Sequence, residues 1–149
     1  MVGQAAAAAK ELLAAAAMGY LATASEGWPY VLPLAYVYDG EAVYFHCGEG
    51  LMASLLAEES RACLAVTTTP QFVAAANPCE NSFCYESVLA FGEVTRLDEA
   101  AHRERVLRLL LSKYHPQTAD QPFLPDRFAG TLAYVLSIDA LTYKRSPEE

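Results

Sequence analysis

The segment that most constrains the fold is residues 29–38, a run rich in β-branched and aromatic residues and apolar on both faces. Such a run favours extended backbone. A strand that is apolar on both sides has to be covered on both sides, as in the wall of a barrel or at a subunit interface. Asp39-Gly40 follows directly and is a strong signal for a hairpin turn, which would return the chain into residues 42–47.

The remaining pattern predicts more strands and three helices. Strands are predicted over residues 20–24, 61–69, 83–97 and 131–143, with Gly92 marking a bulge or bend. Helices are predicted over residues 5–17, over 51–58 and from an N-cap at Asp98 to Tyr114. Residues 70–82 are predicted as a loop, the proline-containing stretch after 115 as irregular, and 146–149 as a frayed tail. This order predicts one α+β domain over residues 1–149, mainly β and built on an antiparallel barrel.

The charge balance narrows the classes of partner. Ten Lys+Arg against eighteen Asp+Glu give the 149 residues a net charge of −8. That balance argues against nucleic-acid binding, which needs clustered cations, and against docking on an anionic membrane surface. The chain is 54% hydrophobic and 19% charged, which is too apolar for disorder. Because its mean hydropathy is +0.15 at this size, we expect apolar surface to be hidden in a dimer.

Targeting and metal-binding signals are weak. Residues 1–24 lack the cationic start of a signal peptide, and Lys10-Glu11 interrupts their apolar run. The uncharged stretch 12–25 is shorter than the ~20 residues that a membrane span needs. The four cysteines show no CxxC or CxxH spacing, so no metal site is expected. We therefore expect a cytoplasmic location with reduced thiols and no membrane partner.

Several short motifs occur in a fixed order along the chain. They are GYLATA at 19–24, GWPYVLPL at 27–34, YVYDG at 36–40, YFH at 44–46, YESV at 85–88 and FG at 91–92. In this order and spacing the chain resembles the pyridoxamine 5′-phosphate oxidase-like FMN-binding split-barrel proteins, above all their nitroimidazole-resistance (NimA-like) branch. The resemblance extends over residues 5–144. It implies a six-stranded antiparallel split β-barrel with Greek-key character, flanked by helices, and a homodimer with flavin sites at the subunit interface.

The segment Leu32-Pro33-Leu34 is a candidate cofactor-binding segment. Proline removes a ladder N–H, so the backbone groups of Leu32 and Leu34 can turn toward a ligand. By resemblance, this segment runs along the flavin. An edge strand at a barrel corner explains the same proline equally well.

Phe45-His46-Cys47 is the second candidate segment, because it ends a predicted strand just before Gly48-Glu49-Gly50 and a helix N-terminus. Free amides and the helix dipole at such a point can hold a phosphate. On the residues alone, His46 fits a core histidine bonded to a carbonyl, and Cys47 a small buried hydrophobe. The resemblance implies instead that His46 lies beside the cofactor or substrate, and we name it as the candidate catalytic residue.

The stretch Gly50-Leu51-Met52 departs from the family pattern. The family usually places Arg and Lys after the glycine turn to hold the FMN phosphate, whereas this chain has no cation there. Met52 is kept as a candidate cofactor contact, and Arg61, Arg96 and Lys144 are the candidate replacements. FMN is the leading cofactor, with FAD, haem, a deazaflavin or an empty pocket as alternatives.

Glu86 and Ser87 complete the candidate site. Glu86 shares a strand face with apolar residues, so its carboxylate has to be either solvated or bonded to a specific partner. Ser87 is a cofactor contact only by resemblance. The resemblance implies a flavin (FMN)-dependent oxidoreductase acting on a small, planar, electron-poor substrate such as a nitroimidazole. The alternative is a non-catalytic protein of the same fold that binds or sequesters flavin or haem.

Overall fold

The structure is a computed structural model that describes residues 2–147. Its helices are α1 (Val2–Ala15), α2 (Leu51–Glu58), α3 (Ala100–Tyr114) and α4 (Pro125–Ala129). Its strands are β1 (Gly19–Ser25), β2 (Trp28–Leu34), β3 (Tyr36–Tyr38), β4 (Ala42–Cys47), β5 (Arg61–Thr67), β6 (Gln71–Val73), β7 (Ser82–Leu97) and β8 (Leu132–Ser146). Short 3-10 turns lie at Pro78–Glu80 and Pro116–Thr118.

The strands form a mostly antiparallel sheet in the order β2-β1-β5-β7-β8-β4-β3, with β6 paired to β7. Only Ala35 separates β2 from β3, although these two strands stand at opposite ends of the order. The sheet therefore curls until its two edges meet at Ala35. The fold is α+β and mainly β, as predicted.

The described part of the chain has eight strands rather than six. Residues 29–38 were predicted as one strand, but β2 pairs with β1 and β3 pairs with β4, so the chain changes partner at Ala35. The predicted loop 70–82 contains β6, which forms by pairing with the start of β7. Both differences arise from long-range pairing, which local periodicity does not encode.

The core lies inside the curled sheet, and α1 packs into it. Alternate residues of each strand point inward, as in β5, where Ala62, Leu64 and Val66 are buried. From α1, Leu13 is fully buried, and its carbonyl accepts a hydrogen bond from the Tyr36 hydroxyl. The apolar face of α1 thus fills the interior of the sheet instead of lying on its outside.

A β-bulge interrupts the long β7–β8 ladder at Gly92, as the sequence predicts. Phe91 pairs with Ala140, but Gly92 pairs with Ile138, so Asp139 is the extra residue. A Cβ atom on Gly92 would lie 1.8 Å from the Ser137 carbonyl oxygen. Only glycine allows the two backbones to approach this closely.

Helix α3 packs on the outer face of β3, β4 and the first half of β8, with Val106 and Leu110 buried against Val37 and Ala133. The predicted N-cap at Asp98 is wrong. Glu99 occupies the cap position without a side-chain cap bond. Asp98 pairs with Arg96 at 2.8 Å instead, because an ion partner competes for its carboxylate.

The i,i+4 spacing of Glu99 with Arg103 and of Glu104 with Arg108 predicts two ion pairs on α3, and only one of them forms. Glu104 and Arg108 pair at 3.2 Å. Arg103 does not pair with Glu99, because its guanidinium donates to the carbonyls of Phe128 and Thr131. Hydrogen bonds from Arg103 to distant backbone carbonyls therefore replace the local ion pair.

Other boundaries move by a few residues. The helix predicted over 5–17 ends at Ala15, β5 ends at Thr67, and β8 runs on to Ser146. The predicted irregular stretch contains the short helix α4. Ser146 of the predicted frayed tail ends β8, and residues 148–149 lie outside the described part. The Asp39-Gly40 hairpin and α2 are confirmed.

None of the helices in residues 2–147 is long and apolar enough to cross a membrane. Within the same residues, no group of three or more His, Cys, Asp and Glu side chains is arranged to hold a metal ion.

Candidate functional site

A cavity of about 540 Å³ lies between the outer face of β4, helix α3 and the segment 115–131; we call it the His46 cavity. Its walls are largely apolar. The lining residues are Ala35, His46, Leu107, Leu110, Leu111, Tyr114, Pro122, Phe123, Leu124, Arg127, Phe128 and Thr131. Its size and composition suit a flat organic molecule of one or two rings.

Strand alternation decides which member of Phe45-His46-Cys47 reaches this cavity. Phe45 points inward, is fully buried and stacks on Tyr134 with ring centroids 5.3 Å apart. His46 points outward into the cavity. Desolvation by its apolar surroundings lowers the pKa of the His46 imidazole, so the ring is neutral at neutral pH.

Two arginines hold the segment 115–131 against α3. Arg108 donates to the carbonyls of Ala119 and Gln121, and its guanidinium lies 4.1 Å from the Phe123 ring centroid. Arg103 holds the far end of the segment and lies 4.7 Å from the ring centroid of Phe128. The two phenylalanine rings also stack on each other. The wall of the cavity is therefore fixed by cation–π and carbonyl contacts as well as by apolar packing.

A second depression of about 300 Å³ adjoins the His46 cavity; we call it the threonine groove. Its lining residues are Ala16, Ala17, Met18, Tyr20, Thr67, Thr68, Thr69 and Pro70. The Tyr114 hydroxyl lies 2.7 Å from the Ala17 carbonyl oxygen. Because Tyr114 lines the cavity and Ala17 lines the groove, the two spaces are neighbours across this contact.

Five strands leave their outward residues uncovered; we call this surface the bare face. Residues that pair across neighbouring strands form two rows on this face. One row is Val31, Ala22, Cys63, Phe91 and Ala140, and the next is Pro33, Tyr20, Ala65, Leu89 and Thr142. Val31 is 62% exposed, Tyr20 52%, Phe91 41% and Leu89 37%. These rows form an apolar strip next to the threonine groove, which shares Tyr20 with it.

A polar row borders the strip. Thr67 is opposite Ser87, and Ser87 is opposite Lys144, so the three side chains share one face of the sheet. The other two candidate cations are engaged, because Arg61 pairs with Glu59 at 2.9 Å and Arg96 with Asp98. Lys144 forms no ion pair within residues 2–147 and lies 5.8 Å from the Tyr85 ring centroid. Of the three predicted replacements, Lys144 is therefore the one available to an external anion.

The N-terminus of α2 offers backbone amides and little else. Gly50 is the cap residue, makes no side-chain cap bond, and has no acidic residue after it in the first turn. Met52 is half-buried and packs on the core, while Leu51 is exposed.

The predicted site residues do not gather in one place. The side chains of Leu34 and Phe45 lie in the core, and that of Cys47 packs against it. Burial raises the pKa of the Cys47 thiol, so the thiol stays protonated. Leu32 is half-buried, and Pro33 is exposed on β2, whose outer edge has no strand partner among the described residues.

Glu86 and Ser87 face opposite sides of β7. Glu86 points to the core side and accepts a hydrogen bond from the Tyr143 hydroxyl, which is the specific partner that its position requires. Ser87 points outward into the polar row.

Sequence reasoning missed Tyr114 and Arg127 as cavity residues. Tyr114 was assigned to the apolar stripe of α3, and Arg127 gave no signal in the sequence.

Known proteins resemble the chain in sequence family and in fold. The family model described as pyridoxamine 5′-phosphate oxidase matches residues 5–145. None of the curated proteins is similar enough in sequence to match the chain.

Three solved structures illustrate the structural similarity. The FAD and heme binding protein from Mycobacterium smegmatis has a TM-score of 0.82 and 26% identity, over 93% of this chain and 70% of that one. A candidate 5-nitroimidazole antibiotic resistance protein from Bacteroides thetaiotaomicron has a TM-score of 0.78 and 21% identity, over 92% and 81%. A FAD-binding protein from Mesorhizobium loti has a TM-score of 0.69 and 22% identity, over 95% and 94%.

Proposed function

Because the chain belongs to the pyridoxamine 5′-phosphate oxidase family, we propose that it is a flavin-dependent oxidoreductase that uses FMN and acts on a small, planar, electron-poor substrate such as a nitroimidazole. The observation that carries the proposal is the adjacency of two spaces, the His46 cavity and the threonine groove, across the Tyr114–Ala17 contact. Adjacent sites for a redox cofactor and a flat substrate are what such chemistry needs.

The bare face fits the ring end of a flavin. A tricyclic ring needs a flat apolar surface with a few fixed polar groups at its edge. The strip around Tyr20 and Leu89 is apolar and exposed, and Pro33 lies beside Tyr20 on the edge strand β2. The FAD and heme binding protein, which is 26% identical, supports flavin binding.

The polar row fits the phosphate end. Thr67 and Ser87 supply hydroxyl groups, and Lys144 supplies the cation that the α2 terminus lacks. A charge-assisted bond from Lys144 to the phosphate would stabilise the complex by about 1.5–3 kcal/mol. We propose that these residues take the part that Arg and Lys usually take in the family.

We further propose a homodimer in which two bare faces pack together and enclose the cofactor sites. The strip is apolar and runs without interruption across five strands. In a two-fold dimer the same strip meets its own copy, so one surface serves both protomers.

His46 is the proposed catalytic residue at the substrate end. Its neutral imidazole faces the cavity and makes no side-chain hydrogen bond within residues 2–147, so it is free to hold a polar group of the substrate or to accept a proton. Leucine and phenylalanine side chains line the cavity around it. A bound flavin would supply the chemistry of accepting two electrons from a donor, such as a reduced nicotinamide, and passing them to the acceptor.

The test is flavin binding by the purified full-length protein, measured by visible absorbance and by quenching of flavin fluorescence. We expect FMN to bind, and Lys144→Gln to weaken FMN about 10- to 100-fold while leaving riboflavin, which lacks the phosphate, unchanged. Arg145→Gln is the matched control, since it removes the neighbouring cation and should alter neither ligand. The function requires that the reduced, FMN-loaded protein be reoxidised by a nitroimidazole, and that His46→Ala slow this step without loss of FMN.

Failure to bind FMN, FAD or riboflavin would overturn the flavin proposal. Binding without reoxidation by any planar acceptor would favour the second candidate function, non-catalytic binding or sequestration of flavin or haem. One observation supports that alternative for haem: a neutral imidazole in an apolar cavity is a suitable iron ligand. Titration with hemin would then give a Soret band that is lost in His46→Ala.

A further inference from the structure

The His46 cavity contains two polar side chains that the protein itself does not use. Of its polar lining residues, Tyr114 is bonded to the backbone of Tyr36 and Ala17, and Thr131 donates to the Arg127 carbonyl. The side chains of His46 and Arg127 make no hydrogen bond or ion pair within residues 2–147. They are the two polar groups left for a ligand in a cavity that is otherwise apolar.

Arg127 is exceptional among the cations of this region. The other four cations between positions 100 and 131 all have acceptors within the protein. Arg103 and Lys113 donate to backbone carbonyls, Arg105 pairs with Asp39 at 3.5 Å, and Arg108 pairs with Glu104. Within the described residues, Arg127 has no such partner, although it lines the cavity.

The net charge of the whole molecule makes a cation without a partner more significant. At a net charge of −8, the protein repels anions on average, so an anionic group binds only where a local cation compensates. A guanidinium beside apolar walls suits an aromatic carboxylate, because its planar fork matches the two oxygens while the walls hold the ring.

We propose that the His46 cavity selects flat aromatic molecules that carry a carboxylate, with the ring between the apolar walls, the carboxylate on Arg127 and the opposite polar group on His46. Arg127 is then a specificity-determining residue. The proposal rests on the proposed function only in taking this cavity as the substrate site, and it names the substrate class as aromatic acids, nitroaromatic acids among them.

The experiment compares two probes of nearly the same shape, 4-nitrobenzoate and the neutral 4-nitrobenzamide. Their binding to the full chain without added flavin is measured by isothermal titration calorimetry. We expect wild type to prefer the benzoate at least about tenfold, which is one good charge-assisted contact. Arg127→Gln should remove the preference while leaving the benzamide affinity unchanged, and Arg127→Lys should restore part of it.

Arg105→Gln is the matched control. Like Arg127→Gln it removes one positive charge, but from a residue of α3 that pairs with Asp39 and lies outside the cavity lining. The preference for benzoate should therefore persist. Equal affinity of wild type for both probes, no binding of either probe, or a preference that survives in Arg127→Gln would each overturn the proposal.

A second arm separates a small aromatic acid from haem, whose propionates present the same carboxylate chemistry on a larger flat ring. If haem is the occupant, hemin should displace 4-nitrobenzoate and give a Soret band that weakens in both Arg127→Gln and His46→Ala. If a small acid is the occupant, hemin should not compete. Because neither arm requires flavin, loss of the benzoate preference can be told apart from failure of the flavin proposal.

Discussion

The two outer sides of the curled sheet are covered in different ways. Over β3, β4 and the first half of β8, helix α3 and the segment 115–131 cover the sheet from the same chain. Over β2, β1, β5, β7 and the second half of β8, the outward residues form the bare face. The inner faces of both regions share one core.

The difference shows what each type of covering produces. Covering by a helix of the same chain is incomplete, and the space left beneath it is the His46 cavity, with its two uncommitted polar side chains. The bare face offers apolar rows and few polar groups, which suits a second copy of the chain and a flat ring between the copies. We therefore assign substrate selection to the covered side and assembly to the bare side as proposals.

The bulge at Gly92 lies between the two regions, and we expect the largest effect from a substitution there. In Gly92→Ala, the new Cβ would lie 1.8 Å from the Ser137 carbonyl oxygen, so the β7–β8 ladder has to separate there. We expect the free energy of unfolding to fall by about 3 kcal/mol or more, measured by urea denaturation. Gly48→Ala is the control, because no atom lies within 4 Å of its Cβ position; it should change stability by less than about 1 kcal/mol. Equal effects of the two substitutions would show that the close approach is not required.

The next largest effect should come from a charge in the middle of the bare face. Phe91→Asp places a carboxylate in the row with Val31 and Cys63, where a dimer would have to desolvate it. We expect the dimer dissociation constant to rise about 100-fold, which is about 2.7 kcal/mol, measured by light scattering across a concentration series. Leu124→Asp alters an apolar residue on the covered side that is 70% exposed, against 41% for Phe91, and should leave the assembly unchanged. A wild-type protein that is monomeric at micromolar concentration would contradict the proposed dimer.

A smaller effect is expected where the chain crosses between the regions. At the β2–β3 junction, the Tyr36 N–H donates to the Tyr114 hydroxyl at 3.0 Å, and that hydroxyl lies near two carbonyl oxygens. Tyr114→Phe keeps the packing and removes these bonds, so we expect a loss of about 1–2 kcal/mol in thermal or denaturant unfolding. Tyr30→Phe is the control, because Tyr30 makes no side-chain hydrogen bond within residues 2–147. An unchanged stability of Tyr114→Phe would mean that water replaces the hydroxyl without loss.

We expect the smallest effect on the pH dependence of stability, through His46 on the covered side. Desolvation lowers the pKa of His46 in the folded protein, whereas the unfolded chain has the ordinary value of about 6.5. As pH falls below about 6.5, the unfolded state takes up the proton first, so stability is lost through this range. His46→Gln should therefore show a shallower decline of Tm on acidification than wild type. Parallel Tm–pH curves would show that the imidazole is as well solvated in the fold as in the unfolded chain.

Local patterns predicted much of the fold correctly. The hairpin at Asp39-Gly40, helix α2 and the bulge at Gly92 all follow from turn chemistry, periodicity or the presence of glycine. Three of the errors share one cause. The division of residues 29–38, the pairing of β6 and the contacts of Arg103 all depend on partners far away in the chain.

The candidate site was less predictable than the fold. His46 was identified from a motif, and the alternation of β4 directs it into a cavity while burying Phe45. Lys144 was one of three candidate cations, and the sequence could not choose among them because ion pairing depends on where Glu59 and Asp98 lie. Arg127 sits in a short segment whose position is set by Arg103 and Arg108 on another helix.

By itself, the order of residues determined the α+β class, the turns, most strand faces and membership of the family, because these depend on short-range backbone preferences and on motifs in series. Only the tertiary structure decided which polar groups are left without partners. A side chain becomes available to a ligand when the groups folded around it satisfy every other charge nearby, and that depends on all the neighbours brought together in space.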